Sequence, residues 1–212
     1  MILYTYFRSS AAFRVRIALN LKNLSAEQRA IHLLNKENRK AEYKAVNPQG
    51  LVPYLVDGDI RLAQSMAIIE YLDECYPDPP LLPTDKVDRA QTRAIAQLIA
   101  CDIHPLNNTR VLDYLNEELG VDEDRRKTWY RHWVEEGFRA LEQVLENRPG
   151  RSSFCVGDSP TLADVLLVPQ VFNAQRFKCD MSRYPRIAAI FENCMKLPAF
   201  DAAQPSKQPD AV

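Results

Sequence analysis

Four prolines fall within seven residues at Pro77-Asp78-Pro79-Pro80-Leu81-Leu82-Pro83, and the hydrophobic pattern changes character across them. Proline fixes φ and removes a backbone donor, so this run makes a stiff extended linker rather than an element. The chain is expected to divide there, into one domain at residues 1–82 and a second at 84–212. With 212 residues, 46% of them hydrophobic, there is enough material for two cores.

Before the linker, strand and helix signals mix. Ile2-Leu3-Tyr4-Thr5-Tyr6 reads as a short strand that runs through Arg8-Ser9-Ser10 into a helical pattern over residues 11–21. Residues 27–33 read as a second strand and 36–45 as a short charged helix, followed by the turn Asn47-Pro48-Gln49-Gly50. Two apolar runs, residues 52–56 and 60–63, flank Asp57-Gly58-Asp59, which is a hairpin signal. Ser65 then opens a helix that closes at Tyr76-Pro77. The order β-α-β-α-β-β-α predicts a small mixed sheet with helices on its faces.

After the linker the pattern is helical throughout. Thr84-Asp85 can cap a segment running to Gly120, with Pro105 kinking it. A second long helix is predicted over residues 122–147. Thr161-Leu162-Ala163-Asp164 resembles a capping box that starts a core helix ending near Phe177, and Tyr184-Pro185 begins another. Trp129 and Trp133 stand one turn apart, which favours packing.

Ser9 and Ser10 lie where a helix begins, where free N–H groups and the peptide dipoles favour negative charge. A hydroxyl there either caps the helix or helps to hold an anion such as a thiolate. Ser65 has the same two readings. Val52-Pro53 by itself reads as an ordinary trans bond at a strand edge. His104, Asn107, Asn108 and Arg110 gather polar groups around Pro105, and His32 and His132 read as structural. A net charge of −1 without a basic run gives nucleic-acid binding no support. Five widely spaced cysteines with no C-x-x-C pair argue against a disulfide framework, a zinc site and a dithiol centre. The start lacks the apolar region of a signal peptide and no run approaches membrane-spanning length, so a soluble cytoplasmic protein is expected.

Five fragments in order carry a family resemblance. These are Arg8-Ser9-Ser10-Ala11-Ala12-Phe13-Arg14-Val15-Arg16-Ile17-Ala18-Leu19, Asn47-Pro48-Gln49-Gly50-Leu51-Val52-Pro53, Gln64-Ser65-Met66-Ala67-Ile68, Cys101-Asp102-Ile103-His104-Pro105-Leu106-Asn107-Asn108, and Pro169-Gln170-Val171 through Arg176-Phe177. Over essentially its whole length the chain resembles the zeta class of the glutathione S-transferases. The resemblance implies an α/β thioredoxin-like N-terminal domain followed by an all-α helical domain. The class signature often reads Ser-Ser-Cys, and Ala11 stands at its third position here, so the reacting sulfur would come from glutathione.

The resemblance implies glutathione as cofactor, with Ser9 or Ser10 stabilising its thiolate. It assigns glutathione binding to Gln49, Val52, Pro53 (through a cis bond), Gln64, Ser65, His104 and Asn108. It brings Arg8, Arg110 and Arg176 near one cleft, where their planar donor forks suit carboxylates. The implied activity is cis–trans isomerisation of a diketo-diacid from aromatic catabolism, maleylacetoacetate to fumarylacetoacetate, with maleylpyruvate the alternative substrate. General conjugation of hydrophobic electrophiles, or binding without turnover, are the rival expectations. A homodimer is implied by the resemblance alone, and no metal is expected.

Overall fold

The computed structural model describes residues 1–148, 150 and 152–211, which form two compact units. The first is Met1–Leu81 together with Met195–Val212, and the second is Leu82–Cys194.

The first unit contains β1 (Ile2–Thr5), α1 (Ser10–Leu21), β2 (Glu27–Ala30), α2 (Ala41–Val46), β3 (Tyr54–Asp57), β4 (Ile60–Ala63) and α3 (Ser65–Cys75). The sheet order is β2-β1-β3-β4, with β1 parallel to β2 and antiparallel to β3. Side chains alternate across it: Leu3 pairs with Leu55 and both are fully buried, whereas Tyr4 pairs with Tyr54 on the other face. There the Tyr4 and Tyr43 rings lie 5.8 Å apart, and α2 so covers that face. On the opposite side α1 packs against α3.

Two elements are shorter than the sequence predicts. The second strand ends at Ala30 rather than residue 33, because the His32 N–H donates to the Glu37 carboxylate at 2.7 Å and leaves the ladder. The 36–45 helix resolves into a 3-10 turn, Glu37–Arg39, and α2, separated by an extended Lys40. Beyond α3, the Lys22 side chain is fully buried and its ammonium donates to Asp73 (2.5 Å) and to the Tyr76 and Pro79 carbonyls (both 2.6 Å). Asp73 also accepts the Leu81 N–H at 2.8 Å. A buried cation with three acceptors thus pins the proline run to the first unit.

The second unit holds α4 (Lys86–Gln97), α5 (Thr109–Glu117), α6 (Glu123–Glu146), α7 (Leu162–Arg176) and α8 (Pro185–Met195). Asp85 and Asp122 cap α4 and α6, each accepting N–H groups of the first turn. The single kinked helix expected to reach Gly120 is instead broken. A π-helical turn, Leu98–Ile103, follows α4, a 3-10 turn spans Pro105–Asn107, and Asn108 then caps a new helix, α5. Pro105 offers no N–H, and the His104 N–H reaches back five residues to the Ile99 carbonyl at 3.0 Å. The π turn lies tight against α6 at Gly137, where a Cβ would come within 2.4 Å of two Ile103 side-chain carbons. Helix α7 is buried nearly all round, and the Thr161–Asp164 capping box stands at its start. The buried Asp164 carboxylate accepts from the Thr161 N–H, the Thr161 hydroxyl and the Cys155 N–H, each at 2.8 Å. Burial is the larger influence on this carboxyl and raises its pKa, with those donors opposing. Glu142 of α6 caps α8 in turn, accepting from the Arg186 N–H at 2.6 Å and the Ile187 N–H at 2.9 Å.

The second domain, expected over residues 84–212, ends at α8, and the chain past it belongs to the first unit. There α9 (Pro198–Ala202) packs on α1. The Asn20 amide donates to the Ala199 carbonyl at 2.9 Å, and the Asp210 carboxylate accepts the Phe7 N–H at 2.9 Å. The buried Arg16 guanidinium of α1 donates to the Ala203 carbonyl at 3.2 Å and to Thr5 Oγ1 at 3.1 Å. It also donates to the Tyr6 and Phe7 carbonyls at 3.4 and 3.1 Å. Desolvation pulls its pKa down to about 10, which leaves it charged at neutral pH. Apart from the Thr5 hydroxyl these partners are backbone carbonyls, which nothing in the local sequence announces. Among the described residues, no helix is long and apolar enough to cross a membrane.

Replacing Arg16 by Gln strands those carbonyls without enough donors. It should cost roughly 2–4 kcal/mol of unfolding free energy, read as a lower urea midpoint at unchanged slope. An unchanged midpoint would show that the tail and the β1–α1 turn are held by packing instead.

Candidate functional site

In the first unit the predicted residues gather at the edge where β1 gives way to α1 and β3 begins. Ser9 is the N-cap of α1, and its Oγ accepts the Ala12 N–H at 3.2 Å. Ser10 is the first helical residue and is buried. A second helix start lies nearby in the fold at α3, which packs on α1. Ser65 is not the N-cap that its position in the sequence suggests: the cap position is Gln64, and Ser65 is the first residue of α3. Gln64 has φ +71°, a left-handed value that is strained for a side chain of this kind. Strain of that sort persists where the surroundings over-determine the geometry.

Arg14 explains part of that over-determination. Only 2% exposed, it lies inside α1 and donates from Nη1 to Ser65 Oγ at 3.3 Å. A buried cation therefore stands behind the N-terminus of α3. Its signal in the sequence is an arginine within the apolar stretch of α1.

The loop before β3 is built by Asn47 and Gly50 of the predicted turn together with Tyr43 and Asn38, which no sequence motif marks. Asn47 is buried; its Oδ1 accepts the Gln49 N–H at 3.1 Å and its Nδ2 donates to the Leu51 carbonyl at 2.8 Å. Tyr43 donates to the same carbonyl at 2.6 Å, and burial pushes its phenol pKa up. Gly50 takes φ +61°, and a Cβ there would come 2.7 Å from the Asn38 carbonyl oxygen, so only glycine fits. The Asn38 amide in turn donates to the Gly50 carbonyl at 2.8 Å. The loop delivers Val52 and Pro53 across a cis bond. Val52 packs its side chain with Tyr6, Phe7 and Tyr43. Among the described residues, neither its N–H nor its C=O has a backbone partner. Gln49 and Gln64 are exposed and meet, with Nε2 of Gln64 donating to Oε1 of Gln49 at 3.1 Å. Arg8 is exposed, and its guanidinium carbon lies 5.0 Å from the Phe7 ring centroid.

The second unit holds the remaining predicted residues. His104 and Asn108 do not share one continuous helix face, since the chain between them is a proline turn. His104 is half-buried at the end of the π turn. Asn108 caps α5, with Oδ1 accepting the Arg110 N–H at 3.1 Å, so its Nδ2 remains the donor end. Arg110 is exposed one residue into that helix. Arg176 closes α7, exposed, with its guanidinium carbon 4.9 Å from the Phe177 ring centroid. Trp129 and Trp133 do pack, edge to face at 5.6 Å, and the Trp129 indole donates to the Leu106 carbonyl at 2.8 Å beside the proline turn.

The residues of the first unit fit a small peptide-like anion: an unpaired backbone pair at Val52, two helix N-termini and a glutamine pair at the rim. Comparison with known proteins agrees. Residues 1–74 match the glutathione S-transferase N-terminal domain and residues 119–198 its C-terminal domain. A probable maleylacetoacetate isomerase of Vibrio cholerae is 52% identical, covering 100% of this chain and 98% of its own. The holo structure of a maleylpyruvate isomerase, described as a bacterial zeta-class glutathione S-transferase, superposes with a TM-score of 0.98 at 48% identity and full coverage of both chains. A maleylacetoacetate isomerase of Methylobacterium extorquens, solved with malonate and glutathione bound, gives 0.97 at 40% identity, again with full coverage of both. The chain therefore belongs to the glutathione S-transferase family, in its zeta class.

Proposed function

We propose that this protein is a glutathione-dependent cis–trans isomerase of an unsaturated diketo-diacid, converting maleylacetoacetate to fumarylacetoacetate, with maleylpyruvate as the alternative substrate. The observation that carries the reading is full-length identity of 48–52% to isomerases of these two acids, joined to a cradle suited to glutathione. The cytoplasm is the assigned compartment.

When bound, glutathione supplies a thiolate that adds to the alkene and leaves once the bond has turned. The chain's residues must hold that cofactor, keep its sulfur ionised and steady the charge that develops on the substrate. The Val52 N–H and C=O would pair with its peptide backbone as an added strand does. Ser65, the start of α3 and Arg14 behind it would take the γ-glutamyl carboxylate, with Gln49 and Gln64 at the rim and His104 and Asn108 completing the set. At α1, the Ser9 oxygen already accepts from Ala12, so its proton is left to donate. With Ser10 and the helix dipole, it would lower the thiol pKa. Arg8, Arg110 and Arg176 would hold the two carboxylates and the developing oxyanion.

Assay of the purified protein with both diketo acids, with and without glutathione, tests the reading directly. Turnover should require glutathione and exceed that with a neutral aryl halide. A preference for the halide would make the protein a general conjugating transferase instead.

The serines give a separable test. Ser9→Ala should lower stability by about 1 kcal/mol through loss of the cap. The Ser9→Ala, Ser10→Ala double variant should also raise the pKa of bound glutathione, read from thiolate absorbance against pH. A wild-type titration in that variant would move thiol activation to other groups. For the arginines, each change to Ala should lower kcat/KM for the diacid roughly 10- to 150-fold, the worth of one charge-assisted contact, with glutathione affinity less affected. Wild-type efficiency in all three would remove the diacid assignment. The family resemblance also supports a homodimer. Sedimentation at micromolar protein should then give about twice the chain mass of 24.3 kDa, and a monomer would defeat the assignment.

A further inference from the structure

At the C-terminal end of α7 the exposed Arg176 is followed by Phe177, whose ring is clamped from α6. The Tyr130 and Phe177 rings stack with centroids 3.5 Å apart and planes 6° from parallel. Tyr130 is buried, and its main chain is braced by the Asn107 amide, which donates to its carbonyl at 3.3 Å. The next residue holds the other partner: Arg131 Nε donates to the Phe177 carbonyl at 2.8 Å. Phe177 is thus fixed through both its ring and its backbone. Tyr130 stacks on that ring, and the Arg176 guanidinium carbon lies over the same ring, 4.9 Å from its centroid. The arginine's charge is close enough to oppose the rise that burial imposes on the Tyr130 phenol pKa.

A long exposed arginine loses rotamer freedom when it grips a carboxylate. An aromatic seat that is itself immobile removes part of that loss in advance, and the ring face attracts the cation. We propose that Tyr130 is a positioning residue for the isomerisation. Its ring holds Phe177 as a rigid seat for the Arg176 guanidinium, and so presets that arginine for a substrate carboxylate. This rests on the reading of Arg176 as a substrate-binding residue. Tyr130 itself touches neither substrate nor cofactor in this role, and its hydroxyl is not needed for it.

The test is a double-mutant cycle read by steady-state kinetics on the diacid, with glutathione affinity and thermal melting measured for each variant. Tyr130→Leu keeps apolar bulk but removes the stack. It should raise KM for the diacid roughly 2- to 12-fold, the cost of ordering one long side chain, at near-wild-type kcat and glutathione affinity. Tyr130→Phe should keep the wild-type KM. Phe177→Leu, which removes the seat itself and leaves the α6 sequence intact, should repeat the rise, and serves if Tyr130→Leu folds poorly. In an Arg176→Ala background Tyr130→Leu should add nothing. If it costs the same factor there as in the wild type, Tyr130 acts elsewhere and the inference fails while Arg176 keeps its role. A KM unchanged in Tyr130→Leu and Phe177→Leu, or raised in Tyr130→Phe, overturns it as well. Arg176→Ala with wild-type efficiency would instead sink the reading of Arg176, and the proposal with it.

Discussion

A single buried guanidinium organises the first unit. Arg16 sits in α1, among apolar side chains, yet its donors reach Thr5 at the end of β1, the Tyr6 and Phe7 carbonyls in the turn that follows, and the Ala203 carbonyl near the C-terminus. Burying a cation is costly unless its donors are satisfied, so the strand end, the turn and the tail are all held at fixed distance from one helix. That turn carries Arg8, Ser9 and Ser10. The position of the serines relative to α1 is therefore set by an arginine two turns further along the same helix. Asp210 reinforces the arrangement by accepting the Phe7 N–H.

The same device recurs at three other places where the chain changes direction. Lys22 collects the Tyr76 and Pro79 carbonyls and the Asp73 carboxylate at the start of the proline run. Asp164 gathers three donors at the head of α7, and Glu142 gathers two at the head of α8. In each case an ionisable group is buried where backbone groups would otherwise lack partners, as helix ends and turns leave them. Apolar packing fills the space between elements; these charges decide where the elements begin.

The residues proposed to bind glutathione lie where regular structure is interrupted. Val52 keeps an unpaired peptide because β3 starts only at Tyr54. Ser65 presents the start of α3 because Gln64 accepts a left-handed backbone. In the second unit His104 and Asn108 flank a proline turn wedged between a π-helical turn and a new helix. A continuous strand or helix would have consumed the donors and acceptors that a ligand needs. The supports of these interruptions are ordinary residues: Asn47, Tyr43 and Gly50 for the loop, Gly137 for the π turn and Trp129 for the proline turn.

The sequence by itself determined what depends on neighbours within a turn or two. The β-α-β-α-β-β-α order, the caps at Ser9, Asp85 and Thr161, the hairpin around Gly58 and the ordered motifs of the zeta class were legible because each signal is local. Only the tertiary structure decided that the chain returns after Cys194 to join the first unit, that Pro105 breaks its helix rather than bending it, and that β2 ends where His32 turns to Glu37. It alone placed Arg14 behind Ser65, 51 positions away, and Tyr130 against Phe177. The Arg16 bond to Ala203 spans 187 positions. The physical reason is that a buried polar group is stable only with its partners in place, and those partners come from distant parts of the chain that meet only once the core has formed.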